Sequence, residues 1–143
     1  MDDKEAWRAR STSWSMMIVL VIAGCDASNE DGLTKTRGVI HVDGRPAMGV
    51  VVKLYPESGA AAIAQGTSGD DGSFQVSTNV AGDGVVPGKY SATMVWSRFD
   101  PLSRSQTGDR LGGLYADPAE QAFLWDIPAT GDFDAGTIEL SMP

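Results

Sequence analysis

The chain contains few residues that could do chemistry. It has one Cys and one His among 143 residues. One Cys cannot form an intramolecular disulfide, and one His supplies too few nitrogen ligands for a typical zinc or iron site. His41 alternates with the apolar Ile40 and Val42, so we expect a solvent-facing strand residue and not a general base. The sequence therefore predicts no metal, no cofactor and no catalytic residue.

Two neighbouring carboxylates, Asp70 and Asp71, precede Gly72 and could be considered as calcium ligands. A calcium ion takes about six to eight oxygen ligands, and this segment is far poorer in acids than a calcium-binding loop. Asp and Gly are also the usual residues of tight turns. We therefore interpret the segment as a plain turn.

Aromatic and basic side chains in two places could contact a ligand. Tyr55 has the exposed parity of its strand, and an aromatic face can stack on a sugar ring. The segment 97–113 lacks strand alternation and carries three arginines and a Phe. Loops of this length are often functional or simply disordered, and the sequence leaves both interpretations open. The possible ligand surface consists of Tyr55, Arg98, Phe99, Arg104 and Arg110.

The start of the chain indicates the cellular location of the protein. An unbroken apolar run spans Met16 to Ala23 and follows Arg8 and Arg10. Its eight residues fall short of the roughly 20 that a membrane-spanning helix needs, and they suit the core of a secretory signal. The alternative is a buried strand followed by a core thiol at Cys25. A signal peptide is favoured because the run is N-terminal, follows arginines and ends in small residues.

The end of this run resembles the lipobox of bacterial lipoproteins. In Ile22-Ala23-Gly24-Cys25, an aliphatic residue and two small residues precede the Cys, as in those signals. By this resemblance, cleavage falls between Gly24 and Cys25, and the Cys25 thiol receives a diacylglyceryl group. The resemblance implies an exported protein, held at the bacterial cell membrane by the lipid on Cys25.

A polar segment follows the predicted anchor. The run DASNEDGLT begins at Asp26 and has little to bury, so residues 25–34 are predicted to be a flexible tether. Asp26 resembles a signal that retains lipoproteins in the inner membrane of some bacteria, and inner and outer membrane both stay open. The predicted organisation is a lipoprotein signal peptide at 1–24, this tether, and a folded domain at 35–143.

From Lys35 onward, apolar residues recur at every second position, which is the period of strands with one buried and one solvated face. We expect a hairpin in which the strand at 40–42 pairs with the strand at 50–55 through a turn at 43–46. Trp96 and Trp125 share the buried parity of their strands, so both are predicted core residues. Further strands are predicted at 74–78, 90–96, 123–127 and 138–140, with a short helical turn at 117–120.

Short strands separated by Gly, Pro and Asp turns predict an all-β fold, a seven-stranded antiparallel β-sandwich. Segments of the chain also resemble, in the same order, the carboxypeptidase regulatory-like domain, a transthyretin-like (prealbumin-like) sandwich common in small bacterial lipoproteins. This resemblance covers residues 35–140 and implies that topology with no single activity. It rests on Val42-Asp43-Gly44-Arg45-Pro46, Asp71-Gly72-Ser73-Phe74, Pro87-Gly88-Lys89-Tyr90, Leu114-Tyr115-Ala116-Asp117-Pro118 and Ile138-Glu139-Leu140.

Charge and the scarcity of His narrow the function. The net charge of −8 repels phosphate backbones, so nucleic acid is not an expected partner. Hydrolases and dioxygenases of similar fold are set aside, because they need more His residues than the one present. The sequence predicts a lipid-anchored envelope protein, not an enzyme, whose sandwich is an interaction or structural module for an envelope protein or glycan. The alternative is a carbohydrate-binding module, which requires Tyr55 and the 97–113 segment to share one surface.

Overall fold

The computed structural model describes residues 31–59 and 61–143, and this part of the chain is all-β with a single 3₁₀ turn at Pro118–Glu120. The predicted signal peptide, its cleavage position and the lipidation residue Cys25 lie outside the described residues. The strands are β1 (Thr36–Val42), β2 (Arg45–Pro46), β3 (Val51–Pro56), β4 (Ala64–Thr67), β5 (Ser73–Gln75), β6 (Gly88–Val95), β7 (Arg98–Asp100), β8 (Ser105–Thr107), β9 (Phe123–Ile127) and β10 (Phe133–Leu140).

Two four-stranded sheets share one apolar core. In the first sheet, β1 lies between β10 on one side and the short strands β2 and β5 on the other. The second sheet has the order β4-β3-β6-β9, and β7 with β8 forms a separate small ribbon. No helix in the described part of the chain is long and apolar enough to cross a membrane.

The fold begins slightly earlier than predicted. Thr34 exchanges backbone hydrogen bonds of 2.7 and 3.0 Å with Val85, and its hydroxyl donates to the Pro128 carbonyl at 2.6 Å. Leu33 is also buried. These two residues, which fall within the predicted tether, therefore pack as part of the sandwich.

The predicted hairpin between β1 and β3 is wrong. Asp43 and Gly44, with φ of 50° and 77°, do form a tight two-residue turn, but it leads into β2, which pairs Arg45 with Val42. The Ala47 amide makes one further backbone hydrogen bond to β1, to the Ile40 carbonyl at 3.1 Å. The chain then leaves the first sheet, and β3 pairs with β4 and β6 in the second sheet.

The predicted purely antiparallel arrangement is also wrong at one pair. β1 and β10 run parallel, from Thr36 opposite Phe133 to Val42 opposite Leu140. A parallel pair needs a long crossover, and here everything from β2 to β9 supplies it. The described residues form ten strands, so the predicted count of seven is not confirmed. β4, β7 and β8 lie in segments for which no strand is predicted, and β2 lies within the predicted turn at 43–46.

Strand alternation predicts the core well. Val50, Val52 and Leu54 are fully buried, whereas Tyr55 on the opposite face of β3 is half-buried. Trp125 is a core residue, as predicted. Trp96 differs from the prediction, because it is only half-buried at the end of β6 and packs on the rim of the core.

The predicted short helical turn is confirmed at Pro118–Glu120. The Asp117 carboxylate accepts a hydrogen bond from the Ala119 amide at 2.8 Å, which satisfies a free donor at the start of the turn. The turn contacts the outer face of β6, where the Ser91 hydroxyl donates to the Pro118 carbonyl at 2.8 Å. The central strand β6 is therefore buried on both faces.

Candidate functional site

The sandwich has two ends that differ in what they present. We call the end where the chain joins β1, marked by Thr34, Val85 and Pro128, the entry end. The opposite end, where β1 stops at Val42, is the far end. A strand rises about 3.3 Å per residue, so Thr34 and Val42 lie about 26 Å apart along β1.

The base of the 97–113 segment is fixed at the far end. The Arg110 amide donates to the Trp96 carbonyl at 2.8 Å. The Asp109 carboxylate accepts from the amides of Trp96, Leu111 and Gly113, at 2.9, 3.0 and 3.0 Å. Leu111 is fully buried and holds this base against the core.

This arrangement stacks Arg110 on Trp96. The guanidinium carbon of Arg110 lies 3.5 Å from the centre of the indole ring. The indole is held in turn by a 2.9 Å hydrogen bond from its Nε1 to the Met48 carbonyl. Stacking engages only the face of the guanidinium, so the indole does not occupy its in-plane N–H groups. Arg110 Nε is buried without a hydrogen-bond partner among the described residues.

Trp96 and Arg110 line an open cavity of about 470 Å³ at the far end, which we call the far-end pocket. The volume is within the range of small-ligand sites. A second guanidinium, that of Arg45, lines the same cavity, together with Asp43 and Met142. One Asp43 oxygen accepts from the Met142 amide at a long 3.4 Å. The far-end pocket therefore combines two cations, one indole face and one carboxylate.

The segment predicted to be an irregular loop contains the β7–β8 hairpin, with Arg98 opposite Thr107. Phe99 and Arg104 are both exposed on this hairpin. The Asp100 carboxylate accepts from the Ser103 hydroxyl at 2.8 Å, and this bond, with backbone amides, lowers the pKa of Asp100. The hairpin therefore has an ordered turn, and it presents Phe99 and its arginines to solvent.

The structure does not bring Tyr55 to the arginines. Tyr55 pairs with Ser91 on β6, and Trp96 lies five residues further along the chain. At about 3.3 Å per residue, this places Tyr55 roughly 16 Å from the far-end pocket, toward the entry end. The condition for the carbohydrate-binding alternative, one surface shared by Tyr55 and the 97–113 segment, is therefore not favoured.

The side chains of His41, Asp70 and Asp71 are held by hydrogen bonds or charge contacts to neighbouring residues of their own strand pair or turn. His41 Nδ1 lies 3.1 Å from a carboxylate oxygen of Glu139, its register partner on β10. The Asp71 carboxylate accepts from the hydroxyl and the amide of Ser73, at 2.6 and 3.0 Å, and the hydroxyl contributes most to lowering the pKa of Asp71. Asp70 accepts from the Asp71 amide at 3.0 Å. These bonds are those of a turn, as predicted.

A larger open cavity of about 590 Å³ lies beside β1 and β5. Its charged side chains are Arg37 and Asp134, which pair with each other at 3.4 Å. Because these charges already neutralise each other, we place the candidate site at the far-end pocket.

Of the residues that line the far-end pocket, only Arg110 belongs to the ligand surface predicted from the sequence. Trp96 was predicted to be core, and Asp43 and Arg45 to be turn residues. One signal for Trp96 was present: it ends an alternating run and directly precedes the arginine-bearing segment. No comparable signal linked Arg45 to Arg110, because the two are distant in sequence.

Asp109→Ala tests what holds the pocket together. The substitution removes the acceptor of three backbone amides, and we expect the free energy of unfolding to fall by about 1 to 3 kcal/mol. The emission of Trp96 should change as its stacked partner loosens. Denaturant unfolding and tryptophan fluorescence measure both effects. Asp126→Ala, at an exposed position of β9, is the control, and equal effects of the two variants would contradict the role of Asp109.

Comparisons with known proteins do not identify a family. No protein-family model and no curated protein matches the sequence significantly. A 9R-lipoxygenase from Cyanothece PCC8801 aligns with 77% of this chain and 17% of its own, at a TM-score of 0.45 and 11% identity. A DUF3823 family protein from Parabacteroides merdae ATCC 43184 aligns with 76% of this chain and 44% of its own, at a TM-score of 0.36 and 14% identity. This chain thus spans less than half of either protein, and likenesses at these TM-scores carry no functional argument.

Proposed function

We propose that this chain is a lipid-anchored protein of the bacterial cell envelope, whose β-sandwich is a non-catalytic interaction module of the carboxypeptidase regulatory-like type. The observation that carries the proposal is that the chain enters the sandwich at one end and the candidate pocket lies at the other. The chain that follows the predicted anchor enters at Leu33 and Thr34, and the far-end pocket with Trp96 and Arg110 lies at the opposite end. The pocket therefore lies at the end remote from Thr34, where the chain that follows the predicted anchor joins the sandwich.

The tether limits how far the domain lies from the membrane. Seven residues, 26–32, separate Cys25 from Leu33, and fully extended they span at most about 25 Å. Two or more acyl chains hold a protein stably at a bilayer, whereas one chain holds it only marginally. In this proposal the entry end stays close to the membrane, and the far end is the more accessible to other envelope components.

The distribution of carboxylates supports a recognition module. Many of them accept backbone hydrogen bonds in turns, so they stabilise loops and are not grouped for acid–base catalysis. Asp83, for example, accepts from the amides of Thr78, Asn79 and Val80, and the first of these bonds contributes most to lowering its pKa. These side chains have a structural use that requires no catalytic role.

Cys25→Ser tests the anchor. We expect this variant to lose incorporation of an alkyne fatty acid in growing bacteria and to move from the membrane fraction to the soluble or secreted fraction, because only a thiol can receive the diacylglyceryl group. In-gel detection of the label and immunoblots of both fractions measure this.

Ser28→Ala is the matched control, since Ser28 lies near Cys25 but outside the lipobox. This variant should keep both the label and the membrane location. Equal labelling of the Cys25→Ser variant and the unchanged protein would overturn the proposal.

A further inference from the structure

The far-end pocket holds a guanidinium that is already arranged for a partner. Trp96 fixes the plane of the Arg110 side chain at 3.5 Å, and the hydrogen bond from Trp96 to Met48 fixes the indole. An arginine held in this way loses little further conformational freedom when it binds a ligand. Among the described residues, no carboxylate lies within ion-pair distance of Arg110.

Arg45 adds a second cation to the same cavity. It is exposed on β2, and the described residues place no carboxylate within ion-pair distance of it either. Two guanidiniums against the single carboxylate of Asp43 give this cavity a net positive lining in a chain whose net charge is −8. Such a lining attracts an anionic group while the rest of the surface repels it.

The net charge and the pocket lining favour a carboxylate over a phosphate. A phosphate carries up to two negative charges, and both the chain as a whole and Asp43 within the pocket oppose the second charge. A carboxylate carries one charge and matches the planar donor fork of a guanidinium.

The rim of the pocket favours a peptide as the bearer of that carboxylate. Met48 is 64% exposed and Met142 is 45% exposed, and both lie next to the pocket residues. Exposed Met side chains adapt to varied apolar groups. A small free acid would leave this rim unused, whereas residues flanking an acidic side chain would cover it.

We infer that the far-end pocket binds an acidic peptide segment of an envelope partner, whose carboxylate is held between Arg110 and Arg45. The inference rests on the proposed interaction module and names its ligand class.

The test uses the full chain, labelled with ¹⁵N and solubilised in a non-ionic detergent. The probe is a blocked tripeptide with Glu between two Leu residues, and its twin carries Gln instead. The indole N–H signal of Trp96, identified by its loss in Trp96→Phe, reports binding. We expect the Glu peptide to shift this signal and to bind at least about tenfold more tightly than the Gln twin, because the twin lacks the charge.

Arg110→Gln and Arg45→Gln should each weaken binding of the Glu peptide by about tenfold. Lys89→Gln, which removes one exposed cation from β6 near the entry end, is the matched control and should leave binding unchanged. Thermal melts check that each variant is folded. Because Arg45 is exposed, its substitution tests the pocket even if Arg110→Gln destabilises the domain.

Equal affinity for the two peptides, no shift at millimolar peptide, or unchanged affinity in the Arg45 and Arg110 variants would overturn the inference. Tighter binding of inorganic phosphate would overturn the carboxylate class, and equal binding of acetate would overturn the peptide class. None of these outcomes changes the fatty-acid labelling of Cys25, so failure of the inference is distinguishable from failure of the anchor.

Discussion

Trp125→Ala is expected to lower the free energy of unfolding by about 3 to 5 kcal/mol, the usual range for removing a large aromatic side chain from a core. The indole is 9% exposed and lies between the two sheets. It stacks nearly parallel on Phe74, with ring centres 6.3 Å apart, and meets Phe133 at 5.7 Å in a tilted arrangement. Truncation would remove these contacts and leave a cavity that the rigid strands fill only in part.

Denaturant unfolding of the variant and the unchanged protein measures the loss. Leu124→Ala is the matched control, because Leu124 is the preceding residue on β9 and is 59% exposed on the opposite face. Tyr55→Ala should also cost much less than Trp125→Ala. A Trp125→Ala protein as stable as the unchanged protein would mean that Trp125 does not contribute to the core.

Gly72→Ala is expected to destabilise the domain by about 2 to 5 kcal/mol, from left-handed backbone strain of about 1 to 2 kcal/mol together with overpacking of about 1 to 3 kcal/mol. Gly72 has a φ of 80°, a conformation that side chains rarely adopt. An added Cβ would collide with the Ile40 carbonyl oxygen and would lie 3.4 Å from the Pro46 Cα. Both contacts are backbone atoms of the first sheet, so neither can move aside without shifting β1 or β2.

Gly44→Ala separates the two contributions. Gly44 has a φ of 77°, close to that of Gly72, but nothing lies within 4 Å of an added Cβ. This variant should cost only the backbone strain, about 1 to 2 kcal/mol. Chemical denaturation of both variants measures the difference, and equal losses would show that the approach of Gly72 to Ile40 imposes no steric limit.

Local patterns in the sequence were enough for the burial of individual strands. The alternation of Val50, Val52 and Leu54 predicts which face of β3 is buried, since successive side chains point to opposite faces. The turn at Asp43 and Gly44 is equally local, because it depends on the positive φ that these two residues tolerate. Each of these features is decided by residues that are close together in the chain.

The partner of each strand was not predictable in the same way. Alternation shows that a strand has one buried face, but it does not specify which strand lies beside it and which lies across the core. The parallel pairing of β1 with β10 joins residues at opposite ends of the described chain. The position of β3 in the second sheet could not be predicted for the same reason. The turn at 43–46 has the residues of a hairpin, but they do not specify whether the chain stays in the same sheet after the turn.

Side-chain chemistry over a few neighbouring residues predicts the all-β character, the buried faces of most strands, the turns and a candidate anchor at Cys25. That Trp96, Arg110 and Arg45 share one pocket, and that Tyr55 stands apart from them, follows only from the folded arrangement of the strands. Those relations depend on contacts between distant segments. Such contacts are set by how the two sheets pack around their common core, and no local pattern encodes that packing.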